Sequence, residues 1–62
     1  MNKYKSSDGQ RTIELKDRFT FVKVIETKLL QLNAIQTQEI SIDRDKVERF
    51  KLTLLDAGWK PV

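Results

Sequence analysis

The side chains that could do chemistry in this 62-residue chain are nine carboxylates and twelve lysines and arginines, because it contains no histidine and no cysteine. Without cysteine the chain can form neither a disulfide nor a catalytic thiolate, and without both residues it lacks the usual ligands of zinc. A His-dependent triad is excluded for the same reason. Glycine occurs only at positions 9 and 58, so no glycine-rich loop can cradle a phosphate. We therefore predict no catalytic residue, no metal site and no cofactor, and expect that the protein is not an enzyme.

The distribution of charge makes the first half of the chain a candidate nucleic-acid surface. The formal net charge is +3. Residues 1–28 hold seven basic and four acidic side chains, whereas residues 29–62 hold five of each. Basic side chains contact phosphates largely without regard to base sequence. The candidate contacts are Lys16, Arg18, Lys23 and Lys28, with Arg44 and Arg49 added from the second half.

The clearest element is an amphipathic helix from Asp43 to Trp59. Its apolar residues recur at helical spacing, and its charged residues fall on the opposite side. Asp43 is a suitable N-cap, and Gly58 can adopt the left-handed conformation that ends a helix, with Trp59 folded back onto Leu54 or Leu55. The predicted core stripe consists of Val47, Phe50, Leu54 and Ala57.

The segment 42–59, IDRDKVERFKLTLLDAGW, resembles the recognition helix of helix-turn-helix and winged-helix regulators. The resemblance covers about a third of the chain, and it implies contact with DNA through this helix. The preceding residues depart from that pattern, because residues 38–43 leave no room for the glycine bend of the motif. The helix also carries as many carboxylates as cations, and carboxylates facing phosphates weaken binding. A structural helix explains the same residues, and we prefer that interpretation.

Two short strands are predicted by alternation of apolar and polar residues. Residues 11–16 place Ile13 and Leu15 on one side, and residues 35–42 place Ile40 and Ile42 on one side. Residues 1–10 are polar and aperiodic, so we expect a flexible arm.

Residues 18–33 support two interpretations. On a helix, an apolar stripe would run from Asp17 as N-cap to Asn33 as terminator, yet residues 19–27 are rich in β-branched and aromatic side chains that favour strands. Because residues 10–57 contain no glycine or proline for a tight hairpin, we predict the helix. In the alternative, residues 19–25 form a strand that pairs with residues 11–15 through an Asp-Arg turn. The stripe consists of Phe21, Val22, Ile25, Leu29 and Leu32.

Together these elements predict a small α+β domain over residues 11–62, with two short strands and two helices in β-α-β-α order; the alternative order is ββ-β-α. Several apolar residues would then remain outside the core, which is typical of an interface. We expect a small non-enzymatic accessory or regulatory protein that docks on a protein partner, with self-association as one form of such docking. The alternative is a nucleic-acid-binding regulator that uses the basic first half, with or without the C-terminal helix. The candidate protein interface is Phe19, Val24, Leu30 and Leu52.

The chain contains no apolar run near the roughly 20 residues that a membrane span needs. No apolar segment follows the first residues, as it would in a secretory signal. We therefore expect a protein of the cytoplasm with no membrane partner.

Overall fold

A computed structural model describes residues 2–30 and 34–62, and within them it shows an antiparallel sheet of five strands with one α-helix. The strand order across the sheet is β4-β3-β2-β1-β5, so the first four strands form a meander and the last strand returns beside the first. A 3-10 turn over Arg44–Lys46 leads from β4 into the helix. The elements are β1 (Lys3–Lys5), β2 (Arg11–Asp17), β3 (Phe21–Leu29), β4 (Ile35–Asp43), α1 (Val47–Asp56) and β5 (Lys60–Pro61).

The predicted β-α-β-α order is wrong, because Phe21–Leu29 is a strand and not a helix. β3 pairs with β2 on one side and with β4 along its whole length on the other. Its β-branched and aromatic residues gain cross-strand neighbours on both sides, which outweighs the helical spacing of its apolar residues. The alternative was right that this segment is a strand paired with residues 11–15. Its bounds and turn were wrong, because the strand begins at Phe21 and the turn does not lie at Asp17-Arg18. Two residues of the predicted helix, Leu32 and Asn33, lie outside the described residues.

The β2–β3 turn explains why the absence of glycine and proline was misleading. The Arg18 backbone N–H donates to the Phe21 carbonyl at 2.9 Å, so the strands turn through Phe19 and Thr20. Arg44, which follows β4, donates its Nη2 group to the carbonyls of Arg18 and Phe19. A side chain distant in sequence thus satisfies the turn that local turn residues would otherwise stabilise.

The two strands predicted from alternation are confirmed at nearly the expected bounds, as β2 and β4. Ile13 and Leu15 of β2 are buried, and Ile42 of β4 is half-buried. Ile40, however, is 56% exposed. The second predicted helix is strand β3, so it cannot cover Ile40.

The predicted flexible arm is instead the start of the sheet. β1 pairs with β2 so that Tyr4 lies opposite Ile13, and Tyr4 is buried in the core. A hydrogen-bonded turn follows, in which the Ser6 hydroxyl donates to Asp8 Oδ1 at 2.6 Å and Gly9 adopts a φ of 75°. Polar residues in this segment therefore form a turn between two strands.

The C-terminal helix is confirmed, with a later start than predicted. Asp43 makes no side-chain capping hydrogen bond, and the 3-10 turn comes between it and α1. At the other end Gly58 has a φ of 93°, and the Trp59 backbone N–H donates to the Leu54 carbonyl at 2.9 Å. This is the Schellman arrangement, in which the chain reverses and Trp59 packs against the core.

The core lies between α1 and one face of the sheet. Val47 and Phe50 of α1 are half-buried against it, whereas Ala57, the fourth residue of the predicted stripe, is exposed. The buried apolar residues are Tyr4, Ile13, Leu15, Val22, Val24, Leu54 and Trp59. Within residues 2–30 and 34–62, α1 and the 3-10 turn are far too short to cross a membrane.

Candidate docking edge and lysine face

β4 is an edge strand whose outer backbone groups have no strand partner within the described residues. Its inner edge pairs with β3 without interruption, from Phe21 opposite Asp43 to Leu29 opposite Ile35. Because opposite residues of antiparallel strands point to the same face, Ile40 lies on the helix-covered face beside Val24. The helix does not reach that far, so Ile40 remains exposed.

An apolar groove, which we call the edge groove, lies between α1 and β4. It has a volume of ≈ 280 Å³ and is lined by Ile13, Val24, Ile40, Phe50, Leu54 and Trp59, with Glu26 and Gln38 at its polar end. Buried residues form its floor, whereas Ile40 and Phe50 stand at its sides. A second groove of ≈ 260 Å³ lies across Phe50, next to Ile42. Apolar surface of this kind is a suitable binding site for an apolar side chain.

One end of the edge groove is fixed by polar contacts. The guanidinium carbon of Arg11 lies 5.1 Å from the centre of the Trp59 ring, within the range of a cation–π interaction. The same guanidinium group forms an ion pair with Glu26 at 3.9 Å. These contacts lie against Trp59, which is buried in the core and forms part of the floor of the edge groove.

The opposite face of the sheet carries five lysines and no helix within the described residues. We call this surface, formed by Lys3, Lys5, Lys16, Lys23 and Lys60, the lysine face. Two pairs of these lysines lie directly opposite each other on neighbouring strands, Lys5 with Lys60 and Lys16 with Lys23. Like charges in directly opposed positions repel each other. Lys23 is partly neutralised by an ion pair with Glu39 at 3.1 Å, which leaves the Lys5–Lys60 pair as the stronger attraction for an anion.

The predicted protein interface is divided by the structure. Phe19 is 94% exposed in the β2–β3 turn, Leu30 is exposed at the end of β3, and Leu52 is 65% exposed on α1. Val24 is only 3% exposed and belongs to the core. The prediction placed Val24 outside the core, whereas alternation along β3 turns it toward α1. These four residues therefore do not form one surface.

The predicted nucleic-acid contacts are divided in the same way. Lys16 and Lys23 share the lysine face, but Lys28 lies on the helix-covered face opposite Arg11. Arg44 is occupied with the β2–β3 turn and with Asp17, at 2.5 Å. Arg18 lies in that turn, and Arg49 lies on α1.

Sequence reasoning missed Ile40 as an exposed groove residue and Lys3, Lys5 and Lys60 as members of the lysine face. The alternation of Lys3 and Lys5 around Tyr4 was a usable signal, because it is the pattern of a half-buried strand. Lys60 carried no such signal, since β5 has only two residues.

Two carboxylates have their pKa lowered by hydrogen bonds. The Ser6 hydroxyl, followed by the Gln10 backbone N–H, lowers the pKa of Asp8 below 3.8. The Arg44 guanidinium lowers the pKa of Asp17, mainly by hydrogen bonding and less by charge attraction. Both groups are solvent-exposed and serve turns, so their shifts reflect structure and do not indicate acid–base chemistry.

Within the described residues, no group of three or more acidic side chains is placed to hold a metal ion. Comparison of the chain with models of protein families, with curated proteins and with solved structures finds no match in any of the three. The features of the molecule that bear on its function are therefore the edge groove, the β4 edge and the lysine face.

Proposed function

We propose that this chain is a small non-enzymatic accessory protein that acts by docking on a protein partner, and that the partner adds a strand to the β4 edge. The observation that supports this proposal most is a nine-residue strand whose outer edge has no strand partner within the described residues, with an apolar groove directly beside it. Strand addition uses both features, since the backbone supplies hydrogen bonds and a neighbouring pocket receives alternate side chains. We place this activity in the cytoplasm, as the sequence predicts.

A photo-crosslinking experiment in native cell extract tests this proposal. A photoreactive amino acid at position 38 would lie at the polar end of the edge groove, and the same amino acid at position 52 would lie on the exposed side of α1. We expect a discrete adduct from position 38 alone. Excess unlabelled wild-type protein should suppress the adduct, whereas excess Ile40→Lys protein should not. The absence of a competed adduct at position 38 would contradict the proposal.

A second candidate function, binding of single-stranded nucleic acid, is favoured by the two opposed lysine pairs of the lysine face. A phosphate placed between two such lysines would relieve their repulsion, and release of counterions would add to affinity. The lysine face extends roughly 13 Å along β2 from the Lys5–Lys60 row to the Lys16–Lys23 row, at about 3.4 Å per residue. It could therefore contact more than one phosphate of an extended strand.

Titration of a fluorescent single-stranded oligonucleotide at low and moderate salt tests the second candidate. Lys5→Gln/Lys60→Gln should weaken binding at least tenfold at low salt, and binding by the wild type should fall steeply with salt. The control is Lys46→Gln/Arg49→Gln, which removes the same charge from the helix side and should leave binding nearly unchanged. Equal losses in both variants would show that the effect is one of net charge alone.

A further inference from the structure

The two edges of the sheet are protected very differently. β5, at one edge, consists of only two residues, a lysine and a proline. Its short length, its lysine and its proline each discourage pairing with another strand. β4, at the other edge, has nine residues, contains neither lysine nor proline, and pairs with β3 without a bulge. Protection of one edge and exposure of the other indicate that β4 is the edge that is paired in the working molecule.

We propose that the strand added to β4 is the β4 strand of a second copy, so that the protein is a two-fold symmetric dimer. This inference rests on the proposed function, because it names the partner of the same docking edge. A two-fold axis perpendicular to the sheet makes the strands antiparallel and places both α1 helices on the same face. The two sheets then continue into one, and the two edge grooves face each other across the axis.

Charge argues against two registers of this pairing. With Glu39 on the two-fold axis, it would oppose the Glu39 of the second copy, and like charges directly opposite are unfavourable. With Ser41 on the axis, Glu39 would oppose Asp43 of the second copy twice. With Ile40 on the axis no like charges are opposed, since Glu39 then faces a serine.

The Ile40 register also covers apolar surface. Ile40 of each copy would meet Ile40 of the other, and Ile42 would lie opposite Gln38. Gln38 on the axis also avoids opposed charges, but it would place Ile40 opposite Gln36 and separate the two edge grooves. Among these four registers, the one with Ile40 on the axis is therefore the one in which charge and apolar contact agree.

Sedimentation equilibrium measures the dimer directly. We expect twice the mass of the chain at micromolar concentrations for the wild type. Ile40→Lys should be a monomer, because it would place two ammonium groups together on the axis. The matched control Leu52→Lys introduces the same charge at an equally exposed leucine on α1 and should remain a dimer. Circular dichroism must show a folded protein in each case. If Ile40→Lys fails to fold, Ile40→Thr replaces it in the test. This variant keeps the β-branched shape without the charge and should weaken the dimer.

Cysteine crosslinking tests the register, and the chain suits it because it has no natural cysteine. Directly opposed residues have Cα atoms roughly 4.5–5.5 Å apart, within the roughly 4.4–6.8 Å that a disulfide spans. Oxidation of Ile40→Cys with copper phenanthroline should therefore give a covalent dimer. Gln38→Cys is the matched control on the same face, and in this register its two copies lie roughly 13 Å apart along the strands, so it should stay unlinked.

The outcomes separate this inference from the proposed function. A monomer at all concentrations, combined with a competed adduct of another protein at position 38, would overturn the dimer and leave docking at β4 intact. A monomer with no competed adduct would overturn both. A dimer that Leu52→Lys dissociates, or that Gln38→Cys links while Ile40→Cys does not, would place the self-contact elsewhere and overturn the inference.

Discussion

Arg44 connects three parts of the chain through one side chain. Its guanidinium group forms an ion pair with Asp17 and donates to two carbonyls of the β2–β3 turn, while its backbone begins the 3-10 turn before α1. Arginine suits this position because its planar group presents several donors in a fixed arrangement. A residue that sequence analysis assigned to nucleic-acid contact therefore has a structural role.

Replacing Arg44 should change the ionisation of Asp17. In Arg44→Met the pKa of Asp17 should rise toward 3.8, because the main cause that lowers it is the hydrogen bond from Arg44. Amide exchange in the β2–β3 turn should also become faster. Both quantities can be followed by NMR. Arg49→Met is the control and should change neither of them; an unchanged Asp17 pKa in Arg44→Met would show that this contact is absent in solution.

The helices and strands differ in whether the local sequence alone is enough to predict them. α1 was predictable because its apolar spacing, its terminating glycine and the returning Trp59 all lie within one segment. β2 and β4 were predictable because alternation is local. β3 was not, since its helical spacing and its β-rich composition disagreed, and the pairing that decides between them depends on strands elsewhere in the chain. The edge groove was not predicted for the same reason, because a second helix was expected where the structure has strand β3.

We expect α1 to stabilise the folded protein mainly through the side chains that face the sheet. Leu54 is 6% exposed and Leu52 is 65% exposed, on the same helix and with the same chemistry. Leu54→Ala should lower the free energy of unfolding by about 2–5 kcal/mol, through lost burial and a residual cavity. Leu52→Ala should change it by less than roughly 0.5 kcal/mol. Chemical denaturation measures both, and similar losses in the two variants would mean that α1 packs by a different face.

The whole molecule is thin, with one sheet and one helix over part of one face. Among the described residues no large side chain is less than 2% exposed, and a domain of this size buries a smaller fraction of its surface on folding than a larger domain does. Turn contacts therefore contribute a larger share of its stability than they would in a larger protein. The free energy of unfolding should therefore depend on the protonation of the carboxylates that stabilise the turns.

Acid should destabilise the protein through Asp8 and Asp17. Both pKa values are lower in the folded state than the ordinary value of 3.8, so the unfolded state binds more protons as the pH falls. The stabilisation from these two carboxylates is complete above the unfolded-state pKa, and it is lost as the pH falls through their pKa values in the folded state. Asp8→Asn/Asp17→Asn should flatten this dependence in melts between about pH 5 and 2. Asp45→Asn/Asp56→Asn is the control, because these residues form no ion pair within the described part of the chain; an equal flattening there would contradict the assignment.

The pairing of β1 with β5 also sets an order for folding. The ladders from β1 to β4 join strands that follow one another in sequence, so each closes a short loop. The ladder that places Tyr4 opposite Pro61 closes nearly the whole chain and gains only a two-residue strand. Its closure entropy is the largest of the four ladders and it gains the fewest contacts, so we expect it to form last and open first. Trp59, the single tryptophan, lies just before β5. Because its side chain is buried in the core, its fluorescence would report the packing of the C-terminal segment onto the core, and amide exchange at Lys60 and Val62 would report the closure of the last ladder.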